Sequence, residues 1–264
     1  MQSFQTIQPS ALLAPYVKLY WFLTANSSGQ ASERVIPSGQ ICLMFHRGER
    51  LFSSAHNRLQ PRAFLGGLET GYTDLLYSGS IDLVCTVFQP AGAKAFFNMP
   101  LIELSEQSVA VDDLEDPQLI ELGNRLFDIA DIQTSVLLIE QFLFSRLRTP
   151  AVHNLLRINA ALQSVYSGQQ NVEALAQTAC LSYKQFKRVF AEYTGANPKD
   201  WLRTVRFQKA LYTLQTQPAV SLAQLACECG YYDQPHLIKE FKIFSGYTPV
   251  EYLSIYAPYS DYFS

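Results

Sequence analysis

The stretch Ser221–Leu253, SLAQLACECGYYDQPHLIKEFKIFSGYTPVEYL, constrains the chain more than any other, because its pattern occurs twice. Ser221 is suited to cap a helix, and Leu222, Leu225 and Ala226 fall at i, i+3 and i+4, the spacing of one buried helical face. Gly230 ends that helix. Asp233 caps a second one, which tolerates Pro235 in its first turn and carries Leu237, Ile238, Phe241 and Phe244 as its apolar stripe. Gln234, His236, Lys239 and Lys242 fall on the other face. Gly246 supplies the exit and Thr248-Pro249 opens a third helix. Helix, glycine-containing turn, helix is a helix-turn-helix pattern.

The earlier copy keeps the same spacing. Leu175 and Ala176 precede Leu225 and Ala226 by 50 positions. Ser182, Phe186, Phe190, Gly195, Pro198, Trp201 and Leu202 precede Asp233, Leu237, Phe241, Gly246, Pro249, Tyr252 and Leu253 by 51, so one extra residue in the second turn explains the slip. Two copies fall short of the roughly three repeats that a stacked solenoid needs, which points to a duplicated DNA-reading unit. Between the copies, the residues from Pro198 to about Gln215 read as one helix. At about 1.5 Å per residue it spans about 27 Å. That is near the roughly 34 Å of one DNA turn and places both second helices in consecutive major grooves.

These residues, above all Gly230-Tyr231-Tyr232-Asp233-Gln234-Pro235-His236-Leu237-Ile238-Lys239-Glu240-Phe241-Lys242 followed by Gly246-Tyr247-Thr248-Pro249, resemble the C-terminal signature of the AraC/XylS family of bacterial transcription regulators. The first copy departs from it at Cys180-Leu181, where a glycine-aromatic pair is common. The resemblance implies that the second helix of each unit reads bases, with Lys184, Lys187 and Arg188 in the first and Gln234, His236 and Lys239 in the second. Arg188 suits guanine bidentately, Gln234 suits adenine, and a lysine suits guanine O6/N7. Ser182, Asp233 and Thr248 at helix N-termini, and Arg206 on the linking helix, complete the expected set through contacts to the DNA backbone.

A net charge of −3 argues at first sight against a nucleic-acid partner. The charge is unevenly shared. From Pro150 onward there are 10 Lys+Arg against 8 Asp+Glu, and the acidic excess lies before it. Cys42, Cys85, Cys180, Cys227 and Cys229 are an odd number scattered through apolar patterns, as expected of reduced core thiols. No basic-then-apolar leader and no apolar run near the roughly 18 residues of a membrane span is present, so a cytoplasmic location without a membrane partner is expected.

Before Pro150 the pattern changes to short apolar strands at Pro15–Leu23, Gln40–Phe45, Leu51–Ser53, Ala63–Leu65, Tyr72–Tyr77 and Ile81–Phe88, broken by turn signals such as Asn26-Ser27-Ser28-Gly29 and Ser78-Gly79. Helices follow at Gln118–Ala130 and Thr134–Leu147, whose apolar faces suit packing on the strands, a dimer interface, or both. The expected fold is therefore α+β in two domains. Residues 1–148 form a β-rich, cupin-like barrel or sandwich with flanking helices; residues 149–264 form an all-α domain with two helix-turn-helix units on a long helix.

Cys42, His46, His56 and Cys85 show no metal-ligand spacing, Gly66-Gly67 lacks the residues of a phosphate loop, and no nucleophile elbow occurs. No enzyme activity, metal or cofactor is expected. The β-rich part resembles, more loosely, the regulatory domains found upstream of AraC-type domains. Tyr16, Tyr20, Trp21, Phe45, Tyr72 and Phe88 are its candidate effector-binding aromatics. The partners expected are double-stranded promoter DNA, a small-molecule effector, a second copy in a homodimer, and RNA polymerase. A constitutive DNA-binding scaffold and a cupin-like enzyme with a DNA-targeting tail stand as alternatives.

Overall fold

The computed structural model describes residues 3–147 and 152–255, so the expected domain boundary at Thr149-Pro150 lies outside the described residues. Eight antiparallel strands make one sheet: β1 (Ser3–Ile7), β2 (Val17–Val35), β3 (Cys42–His46), β4 (Phe52–Ser53), β5 (Arg58–Leu59), β6 (Ala63–Gly66), β7 (Thr73–Phe88) and β8 (Ser108–Ala110). Their order is β1-β2-β7-β3-β6-β8, with β4 bridging β5 and β7. β2 and β7 are long and continuous where the sequence suggests turns. The two turn signals face each other instead, Ser27 opposite Gly79, at a register shift between Ser27 and Ala31. Gly79 takes φ +86°, the left-handed conformation that such a bulge uses at little steric cost.

The period of two sorts the side chains onto two faces. Trp21, Leu23, Met44, Phe64, Leu75, Leu83, Cys85 and Val87 make an inner core, to which both halves of β7 contribute, so the sheet curls around it. Tyr20, Phe22, Leu43, Phe45, Leu65, Val84 and Phe88 make the opposite face, buried under two helices, α1 (Pro117–Phe127) and α2 (Ile132–Arg146). Asp116 and Asp131 cap these helices by accepting from Leu119 N and Thr134 N, and Arg146 near the end of α2 pairs back with Asp116. Leu119, Leu122, Leu126, Leu138, Ile139 and Leu143 point inward, whereas Leu137 and Phe144 of α2 and Leu147 just after it are exposed. After β7 the chain forms two short 3-10 helices, at Gly92–Ala95 and Leu101–Leu104.

The C-terminal part is helical: α3 (Val152–Tyr166), α4 (Val172–Thr178), α5 (Tyr183–Thr194), α6 (Pro198–Thr216), α7 (Leu222–Cys229), α8 (Gln234–Ser245) and α9 (Pro249–Ile255). α6 runs for 19 residues, one beyond the expected end at Gln215. The two copies differ in where they belong. Leu175, Phe186, Val189, Phe190, Tyr193 and Trp201 continue the core under the sheet, while Leu225, Leu237, Phe241, Phe244 and Tyr252 form a separate core with Phe207, Leu211 and Leu214 of α6. All five cysteines carry free thiols, and no helix among the described residues is long and apolar enough to cross a membrane.

Candidate nucleic-acid interface

Each unit is built by local capping. In the first, Asn171 caps α4 and Ser182 caps α5 in a box with Gln185, whose side chain reaches back to the Ser182 N–H. In the second, Ser221 caps α7 and Asp233 caps α8 by accepting from His236 N at 2.8 Å. Both second helices end on a glycine with nearly the same backbone, Gly195 at φ +80° and Gly246 at φ +79°. The turn between the helices also repeats. Gly230 sits at φ +78°, and Cys180, its counterpart, is held at φ +52° despite its side chain.

With Phe186, Val189, Phe190 and Tyr193 buried, α5 turns Lys184, Lys187 and Arg188 to solvent, at the i, i+3 and i+4 positions of one face. Lys187 lies 5.6 Å from the Tyr183 ring centroid. On α8, Gln234 and Lys239 are exposed, and Lys239 holds the position of Arg188 one copy later. The structure also exposes Tyr183 at the start of α5 and Tyr232, 91% exposed, just before α8. An exposed aromatic beside a helix N-terminus was the available signal for both.

Other expected contact residues are turned inward. Arg206 is directed at Glu240 (Nη2–Oε2 3.0 Å) and at the carbonyl of Gly230 (3.4 Å), with its guanidinium 4.9 Å from the Tyr231 ring. Its neighbour on α6, Arg203, reaches the same carboxylate at 2.6 Å. Thus the arginines of the linking helix clamp α8 to α6 instead of facing outward. His236 is half engaged as well. Its Nδ1 accepts from Tyr232 N at 3.3 Å, its Nε2 is 3.8 Å from Glu240, and its ring meets Tyr231 edge-on. Burial, with the Glu240 charge second, pushes the Tyr231 hydroxyl well above the usual phenol range, so it stays protonated. Asp233 is occupied as a cap, and Thr248 caps α9 reciprocally with Glu251.

Glu240 itself was not singled out by its sequence context between two lysines, although it is 5% exposed. The duplication carried the signal: its counterpart 51 residues earlier is Val189, a position that faces the core.

Comparison with known proteins agrees with this geometry. Residues 175–254 match a family described as a helix-turn-helix domain, and residues 5–110 match a domain of unknown function, DUF6597. The chain is 28% identical over 158 residues to an uncharacterized HTH-type transcriptional regulator of Haemophilus influenzae, covering 58% of this chain and 51% of the relative. It is 30% identical over 95 residues to the HTH-type transcriptional regulator ArgR of Pseudomonas aeruginosa, covering 34% and 29%. With the activator RhaS of Escherichia coli it shares 28% over 90 residues, covering 34% and 32%. Residues 175–254 are thus a helix-turn-helix domain of the kind found in HTH-type transcriptional regulators. The chain spans about half or less of the length of these relatives. Among solved structures, the DNA-binding domain of AdpA in complex with a target DNA aligns over 38% of this chain and 92% of its own (28% identity, TM-score 0.36). ToxT from Vibrio cholerae aligns over 96% and 98% (11% identity, TM-score 0.47).

Upstream of the helix-turn-helix domain, the curled sheet lines a partly open cavity of about 110 Å³. Its walls are Met44, Leu51, Phe64, Leu75, Leu83 and Val87 from the inner face and the segment Val35–Gln40. None of the six expected aromatics lines it. Tyr20, Phe45 and Phe88 point to the opposite face of the sheet, where α1 lies on Phe45 and Tyr20 donates to Glu140 of α2 at 3.3 Å. Trp21 is on the cavity side but packs against Phe4, Tyr16 packs edge-on against Phe96, and Tyr72 is exposed against Arg34.

Proposed function

We propose that this chain is a sequence-specific DNA-binding transcription regulator, in which residues 149–264 read promoter DNA and residues 1–148 sense an effector and dimerise. The observation that carries this reading is the duplicated register. Arg188 and Lys239 hold equivalent solvent-facing positions on α5 and α8, two helices joined by the 19-residue α6. Lys184, Lys187 and Gln234 extend the two contact surfaces. Ser182, Asp233 and Thr248 act through the helix N-termini they cap, offering backbone N–H groups and the positive end of the helix dipole to phosphates. Arg206 contributes by holding α8 in place and His236 by fixing its first turn.

The relatives' names, HTH-type regulators and an activator, support a regulatory role for the whole chain. A second copy docking on the exposed Leu137 and Phe144 of α2 and the adjacent Leu147 would pair two such domains, and RNA polymerase is the partner an activator needs. The chain works in the cytoplasm.

Fluorescence anisotropy against a pool of promoter fragments tests the reading. The full chain should select a subset, with affinity falling steeply as salt rises. Arg188→Ala and Lys239→Ala should each cost about 1–3 kcal/mol on the selected site while leaving unfolding unchanged. Unselective binding, or no loss in either variant, would sink the proposal.

A further inference from the structure

The cavity in the sheet and the helical domain share a wall. The strap Val35–Gln40 lines the cavity on one side, and its other side holds the C-terminal domain. Ile36 is buried in the core of the second unit. The Pro37 carbonyl accepts from Gln208 Nε2 of α6 at 2.5 Å, and the Gly39 carbonyl accepts from Trp201 Nε1 at 3.2 Å. Gly39 is required there: it sits at φ +73°, and a Cβ would meet Thr204 Cγ2 of α6 at 3.3 Å. Just before the strap, Arg34 is held bidentately by Asp74 (2.7 and 2.8 Å) between the rings of Tyr72 and Tyr247, 4.1 and 4.6 Å away. From there it donates to the Ser245 carbonyl, at 3.3 Å, at the end of α8. One short segment thus contacts the cavity, the long helix and the second unit.

The cavity has a chemical character of its own. Its floor is apolar, and among the described residues no lysine or arginine lines it. The wall also carries hydroxyl, amide and imidazole groups, and two of its acceptors stand out among them. Gln40 Oε1 is buried with no partner among the described residues, and the Glu69 carboxylate, 34% exposed, lines the cavity with His56 Nε2 at 3.4 Å. An anion placed here would lie beside the Glu69 carboxylate with no lysine or arginine to offset its desolvation. The size is near the roughly 150 Å³ of an engineered cavity that takes up benzene, which limits an occupant to on the order of ten non-hydrogen atoms.

We propose that this cavity binds a small molecule with an apolar body and a hydrogen-bond-donating head, an amine or an alcohol, and that the Val35–Gln40 strap passes its occupancy to α6. The coupling half of this proposal rests on the DNA-reading function above; the binding half does not.

Calorimetric titration of the full chain with benzylamine, benzyl alcohol and benzoate tests it, since the three share a ring and differ in the head. The amine and the alcohol should bind, and benzoate should not. Glu69→Gln should weaken the amine at least fivefold and leave the alcohol unchanged, and Leu83→Phe should abolish both by filling the floor. The Glu69→Gln arm stands alone if the Leu83 variant fails to fold. Saturation with a selected DNA fragment should then change the benzylamine Kd by about fivefold or more, and benzylamine should change the DNA Kd by the same factor. Benzoate binding as tightly as the amine, or no probe binding up to millimolar concentration while DNA is still selected, overturns the ligand site and leaves the DNA reading standing. Probe binding without DNA selection does the reverse, and identical Kd values with and without DNA overturn the strap.

Discussion

The two helix-turn-helix units are built on one pattern and held in different ways. The first shares a continuous core with the sheet domain, with α5 near the Gly92–Ala95 and Leu101–Leu104 turns and Lys94 3.5 Å from Glu192. The second has its own core and meets the sheet domain chiefly through Ile36 and the Arg34 clasp. Separate apolar cores open independently at lower cost than a shared one, so the second unit is the part whose position the proposed sensor domain would adjust cheaply. In the proposed function, duplication supplies two surfaces for DNA and unequal anchoring makes one of them adjustable.

The strongest way to break this comparison is to hollow out each core in turn. Phe190→Ala and Phe241→Ala should each cost about 3–5 kcal/mol locally. In native-state hydrogen exchange, the first should lower protection in α4, α5 and the sheet together, and the second only in α7 to α9. Equal spread from both would erase the distinction.

Acid should test the same division from the sheet side. His46 is fully buried against Phe64, and burial lowers its imidazole from the ordinary 6.5 to about 4. Below pH 6.5 the unfolded chain takes up a proton that the folded chain refuses. Stability is therefore lost as pH falls through that window, by about 3 kcal/mol once pH is below 4. Denaturant midpoints at pH 7 and pH 4.5 should diverge, and His46→Leu should shrink the divergence.

Glu240→Ala should cost about 2 kcal/mol, less than the roughly 3–5 of a fully buried pair, because Arg203 still reaches solvent. DNA affinity should fall with it, since α8 loses its clamp to α6. A stability loss with unchanged DNA affinity would show that the clamp does not orient α8. Smallest of all, Cys180→Gly should stabilise the first unit by about 1 kcal/mol, because a cysteine at φ +52° bears the left-handed cost that Gly230 avoids. A lower melting temperature in that variant would show that the Cys180 side chain contributes packing that outweighs the strain.

The helical half was legible because its signals are local. Caps at Ser182, Ser221 and Asp233, glycines at 195, 230 and 246, and prolines at 198 and 249 each act within a few residues of where they stand. The sheet half was harder. Asn26-Ser27-Ser28-Gly29 and Ser78-Gly79 look like two turns, and only their pairing across β2 and β7 turns them into one bulge. Strand alternation showed that Tyr20 and Phe45 lie on faces of a sheet, but which face encloses space depends on how the sheet curls. Arg206 and Glu240 required knowledge of which helix crosses which. The strap at Val35–Gln40 joins residues more than 160 positions apart, beyond the reach of any periodicity.

The indole of Trp201, whose N–H is spent on the Gly39 carbonyl, gives the molecule an internal optical gauge. The chain has two tryptophans, and the other, Trp21, is sealed within the sheet. Replacing Trp21 by phenylalanine would leave a single emitter at the seam between the domains. Its colour would then follow, in real time, whether the seam is dry or open to water.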